Sequence, residues 1–170
     1  MIKYGHLDIG VHSVQLEQLN FSDLHECYRQ YEWLDKYYNK HNSSIWQMFD
    51  NDCPIWVWDI AKKLLITLDE NVDFVVSVIK LDPGNTVPNH IDAHFKVQEK
   101  FGKGRTARYL VMLEDWKMGH YYEIHNQPYV KWRAGDWTKF EQDDWHLAGN
   151  MGDKPFYSMQ VTVKINEEIK

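Results

Sequence analysis

Apolar positions along this chain follow two different periods, and the change falls near residue 73. Before it, Leu24, Cys27, Tyr28, Tyr31, Leu34 and Tyr38 recur every three or four residues behind Ser22, a side chain suited to capping a helix start. This spacing predicts a helix over roughly 22–40, ended by Asn42-Ser43-Ser44. A second helix is expected after Pro54, which suits a first-turn position, with Val57, Ala61, Leu64, Leu65 and Leu68 as its buried stripe.

Beyond residue 73 the apolar runs shorten and turn residues punctuate them. Phe74–Leu81 is apolar and β-branched and reads as a buried strand. Asp82-Pro83-Gly84-Asn85 places Pro and Gly where a type II turn wants them. Residues 106–113 form a second strong strand, and 121–124 and 129–132 flank a hairpin turn at Asn126-Gln127. Ala134-Gly135-Asp136 is a tight turn leading into 137–140, and 156–163 is the last strand. Two helices followed by about eight short strands predict a mainly β chain, a jelly roll (double-stranded β-helix) with N-terminal helices packed outside it. No repeat or linker divides it, so residues 1–170 are expected to be one domain, with 1–72 as helical support and 73–165 as the jelly-roll core.

Composition narrows the setting. At 170 residues, 44% of them apolar, the chain is long enough to bury one sizeable core. No apolar run approaches the ~18 residues of a membrane span, and the first eight residues lack a signal-peptide core. A cytosolic protein is expected, with Cys27 and Cys53 as reduced thiols. The net charge of −6 argues against broad binding to nucleic-acid backbones.

The chemistry centres on His90-Ile91-Asp92. Two residues apart on an extended strand, His90 and Asp92 leave the same face. With His146 they make two imidazoles and one carboxylate, a set that binds non-haem Fe(II) on one face and leaves positions open. In a jelly roll, strands distant in sequence become neighbours, so a late His146 can meet an early His90. The rivals fit less well. Asp144-x-His146 needs a further imidazole, and His120 and His125 stand at odd separation on opposite faces. His94 shares the parity of His90 and Asp92, but a solvated residue past the strand end is the simpler expectation. Trp116, Tyr121, Tyr122, Trp132 and Trp137 are candidates for an aromatic pocket lining, though sheet packing is commoner for them. Nucleotide-loop, nucleophile-elbow and zinc-helix motifs are absent from the sequence.

Four stretches carry a family resemblance: Pro83-x-x-x-Val87-x-x-His90-x-Asp92; Arg108-Tyr109-Leu110-Val111-Met112-Leu113 with Trp116 and Gly119; Trp132-x-Ala134-Gly135-Asp136; and His146-x-x-x-Asn150-x-Gly152. Over about residues 74–164 the chain resembles the iron(II)/2-oxoglutarate-dependent oxygenases, particularly short single-domain forms from bacteria and phages. The resemblance implies Fe(II) held by His90, Asp92 and His146, with 2-oxoglutarate and O₂ as co-substrates. It also implies hydroxylation of a small molecule or a protein side chain, with decarboxylation to succinate. In one place the chain departs from the pattern. The family usually anchors the far carboxylate with a basic residue about ten positions after the distal His, often as Arg-x-Ser. Here Phe156 and Ser158 occupy those places. A buried dicarboxylate needs a cation, so the charge is expected from Arg108 first, then Lys154 or Arg105, with Tyr109 or Tyr157 adding a hydroxyl beside Ser158. Two other readings stay open: a cupin-like metalloenzyme that needs no 2-oxoglutarate, and a jelly-roll binding protein without turnover. Neither the substrate nor the oligomeric state is legible in the sequence.

Overall fold

The computed structural model describes residues 2–10, 13–23 and 45–165. Two antiparallel sheets dominate it. The larger contains β1 (Lys3–His6), β2 (Ser22–Asp23), β3 (Ile45–Phe49), β4 (Phe74–Leu81), β6 (Thr106–Met112), β9 (Asp136–Glu141) and β11 (Phe156–Lys164), in the order β1-β9-β6-β11-β4-β3-β2. The smaller contains β5 (Thr86–His90), β7 (His120–Ile124), β8 (Gln127–Tyr129) and β10 (His146–Asn150), in the order β5-β10-β7-β8. Three α-helices accompany them among the described residues, α1 (Ser13–Glu17), α2 (Ile55–Thr67) and α3 (Phe95–Phe101), with a 3-10 turn at Asp50–Asp52. From Phe74 onward the chain crosses back and forth between the sheets, staying in one only for the β7-β8 hairpin, with β4-β6-β9-β11 in one and β5-β7-β8-β10 in the other. That alternation of eight strands makes the fold a double-stranded β-helix.

Alternation along each strand of the larger sheet separates two cores. On β11, Tyr157, Met159, Val161 and Val163 face outward with Val76, Val78, Tyr109 and Val111, and α2 covers them with Val57, Ile60, Ala61, Leu64 and Leu65. Each Val, Leu, Ile or Met among them contributes roughly 1.5–3 kcal/mol on burial. Phe156 on β11 instead faces the smaller sheet, joining Leu81, Leu110, Met112, Tyr122, Ile124, Trp132 and Phe140. Ser158, Gln160 and Thr162 share that inner face and line the cavity between the sheets.

Sequence expectations hold for β4, the number of strands from residue 74 onward and the body of α2, with Ile60 added to its stripe and Leu68 only partly buried. The strand expected over 129–132 is instead β8, two residues earlier. Pro54 sits at the N-cap, one position before the helix. The turn after β4 is the expected one: Asn85 N–H donates to the Asp82 carbonyl, and Gly84 takes φ +83°. The hairpin turn lies one residue earlier than expected, at His125-Asn126. Both residues have positive φ, the geometry that matches strand twist in a two-residue hairpin. The N-terminal part is not purely helical, because β1 and β3 extend both sides of the large sheet. Of the helix expected over 22–40, Ser22 and Asp23 form β2, and 24–40 lies outside the described residues. No described helix is long and apolar enough to cross a membrane.

Candidate metal centre

Strand pairing builds the centre. β10 lies between β5 and β7, and its register sets His146 directly opposite His90, with ring centroids 4.2 Å apart. Asp92 lies just past the end of β5 rather than on it. Its carboxylate still reaches both rings, Oδ1 at 3.6 Å from His90 Nε2 and Oδ2 at 3.3 Å from His146 Nε2. The three ligand atoms lie within 4.8 Å of one another. Each ring is oriented by a hydrogen bond on its other side. His90 Nδ1 is 2.8 Å from the Pro88 carbonyl and His146 Nδ1 is 2.9 Å from the Asp144 carbonyl. A carbonyl only accepts, so both protons sit on Nδ1 and both Nε2 lone pairs point into the site.

Protonation suits a cation. Burial works to raise the Asp92 pKa, but the Arg108 guanidinium beside it outweighs this and holds the carboxyl well below its usual range. Burial lowers the pKa of His146 against the pull of Asp92, so the ring stays neutral. An ionised carboxylate beside neutral imidazole is the form a divalent metal requires. Two nitrogens and one oxygen converging in a buried site fit Fe(II) by donor type.

A cavity of about 120 Å³ opens from these residues between the sheets. Arg108 enters it from β6. Its Nε–H donates to Thr162 Oγ1 at 3.0 Å, its register partner on β11, and an Nη1–H donates to Asp92 Oδ2. Ser158 lines the same cavity and is buried. The other anchor candidates stand elsewhere. Arg105 is exposed and paired with Glu141, and Lys154 is exposed near Asp153. Tyr109 and Tyr157 face the outer core, Tyr109 donating to Glu70. Phe156 does line the cavity, stacked against His120 and Trp132 at 5.1 and 5.0 Å, so an aromatic ring stands where the sequence resemblance led to the expectation of a cation. Arg108 and Lys96 are the Lys or Arg side chains lining the cavity among the described residues.

Of the aromatic candidates only Tyr122 lines the cavity; Trp132 and Trp137 pack within the two cores. Asp144 is engaged by His125 Nε2 at 2.5 Å, which removes it as a rival ligand. His94 is a correction: it is buried beside Asp92 instead of solvated, because α3 folds the chain back immediately after the ligand. Sequence reasoning missed Gln160 and Thr162, although Ser158-x-Gln160-x-Thr162 in an apolar strand is a period-2 polar face. Gln47, on β3, carries no such signal.

No protein-family model matches the chain, and no curated protein matches it by sequence. Solved structures do. A prolyl-4-hydroxylase from Pseudomonas putida superposes with a TM-score of 0.62 at 10% identity, covering 96% of this chain and 92% of the hydroxylase. The non-haem α-ketoglutarate-dependent epimerase SnoN from nogalamycin biosynthesis gives 0.57 at 13% identity, covering 94% of this chain and 76% of SnoN. A cupin protein from Bacteroides fragilis gives 0.42 at 18% identity over 63% of this chain and 78% of the cupin. What the chain shares with the hydroxylase and SnoN is the fold.

Proposed function

We propose that the protein is an Fe(II)/2-oxoglutarate-dependent oxygenase that hydroxylates a substrate C–H. The observation carrying this reading is the convergence of His90, Asp92 and His146, with both imidazole protons held on backbone carbonyls, in a cavity that Arg108 also enters. His90, Asp92 and His146 hold the iron. When bound, iron supplies the oxidising chemistry: 2-oxoglutarate, O₂ and R–H give succinate, CO₂ and R–OH. Arg108 supplies the cation for the far carboxylate of 2-oxoglutarate through the N–H groups that Thr162 and Asp92 leave uncommitted, and Ser158 adds a hydroxyl. Phe140, packed 4.7 Å from the His146 ring, and Tyr122 exclude water from the ligand side. The substrate is a small molecule or a protein side chain, since the net charge of −6 opposes long nucleic acids. A cytosolic enzyme is in keeping with Cys53 as a free thiol.

Anaerobic titration of the metal-free protein with Fe(II) and then 2-oxoglutarate tests this. The expected result is the visible charge-transfer band of the chelate, absent in Asp92→Ala, which binds no iron. Iron binding without the band sinks the 2-oxoglutarate assignment. It then favours a metalloenzyme of the same fold that uses no such co-substrate, the reading to which Phe156 points.

A further inference from the structure

Next to the ligands lies a third imidazole that the mechanism above leaves idle. His94 stands at the N-cap of α3 with φ +46°, left-handed backbone that a non-glycine residue holds where its surroundings impose it. Its side chain is fully buried. Nδ1 lies 2.8 Å from Thr106 Oγ1, and Thr106 Oγ1 lies 2.9 Å from the side-chain amide of Gln142. Nε2 faces Asp92 Oδ2 at 3.4 Å, off the line of a good hydrogen bond and without another partner. A neutral imidazole carries one proton.

That proton has two places to go. If Thr106 donates to the Gln142 oxygen, it accepts from His94 Nδ1–H, and a bare Nε2 lone pair faces a carboxylate that can only accept. Two acceptors 3.4 Å apart in a buried site repel each other, and because His94 stands outside the ligand group, no metal would lie between them as one would for His90 and His146. A half-turn of the Gln142 amide, which exchanges its oxygen and nitrogen, reverses the chain. Gln142 Nε2–H then donates to Thr106, Thr106 donates to His94 Nδ1, and His94 Nε2–H points at Asp92. Every donor now leads toward the negative charge.

We propose that Gln142, Thr106 and His94 form a hydrogen-bond relay ending on Asp92, with His94 as a positioning residue that sets the angle of the ligand carboxylate. His94 thus carries the opposite tautomer to His90 and His146. In His-x-Asp-x-His, the first imidazole offers a lone pair to the metal and the second offers a proton to the carboxylate. Consistently, His94 is not among the groups whose ligand atoms lie within 4.8 Å of one another. The relay rests on the metal assignment of the previous section.

Co(II), which absorbs in the visible, is the probe. Wild type, Thr106→Val, Thr106→Ser and His94→Phe are titrated with it, with circular dichroism as the check on folding. The relay predicts affinity weakened about 10–100-fold in Thr106→Val and His94→Phe, and unchanged in Thr106→Ser, which keeps the hydroxyl. Wild-type affinity in Thr106→Val overturns the relay while leaving the metal assignment standing. A wild type that takes no Co(II) overturns both. If His94→Phe does not fold, Thr106→Val and the tautomer decide. Nitrogen-15 NMR of the histidine-labelled, metal-free protein is expected to show Nε2–H at His94 and Nδ1–H at His90 and His146. Nδ1–H at His94 refutes the relay whatever the metal does.

Discussion

Arg108 is held between Thr162 and Asp92, and on the proposed reading its remaining N–H groups anchor 2-oxoglutarate. Arg108→Ala removes charge-assisted hydrogen bonds worth about 1.5–3 kcal/mol each, so affinity for 2-oxoglutarate should fall about 10–100-fold, read from the charge-transfer band at saturating iron. Unchanged affinity removes Arg108 as the anchor. His120 makes a different prediction. Burial holds its ring below the usual imidazole pKa, opposed by its bond to the Lys154 carbonyl and aided by Lys117. The fold therefore prefers the neutral ring, while the unfolded chain takes a proton at about pH 6.5. This contribution is full above that pH and is lost as the pH falls through and below it. In His120→Phe, the melting temperature should depend less steeply on pH between about 7 and 5; an unchanged slope refutes the assignment.

At the scale of elements, the family-like motifs divide into ligands and struts. Asn150 donates through Nδ2 to the Leu81 and Lys154 carbonyls and accepts from Gly152 N–H, tying the end of β10 to β4. Gly119, at φ +92°, packs so closely on this turn that a Cβ there would lie 2.2 Å from Gly152 N. Gly119→Ala should destabilise the protein by roughly 2–4 kcal/mol, through strain at positive φ plus overpacking, measured as a lower urea midpoint. These struts were legible as motif residues, but their purpose was not, because it depends on which backbone lies opposite. The same limit explains α3: seven residues without a capping signal are too short to show a period, so His94 read as solvated. Asp92 was assigned to a strand that ends two residues earlier. Its carboxylate still reaches both rings because the chain turns toward His146 instead of away.

Across the whole molecule, the order of strands was legible from residue 73 onward because turns and period-2 runs are local signals. The contribution of β1 and β3 was not, since strands of four and five residues carry little periodicity of their own. Nor was the division of β11, buried on both faces, into an outer wall and a cavity floor. His90 and His146 belong to strands that are far apart in sequence and meet only through the register of β10 on β5. The unfolded chain therefore has no ligand set to offer, and metal binding is linked to folding of the whole barrel. Free metal at about 100 times its Kd should add about 2.7 kcal/mol to stability. For a chain of this length that corresponds to roughly 5–11 °C in Tm. The barrel thus reports its own occupancy: a melting curve with and without Fe(II) detects the metal without any knowledge of the substrate.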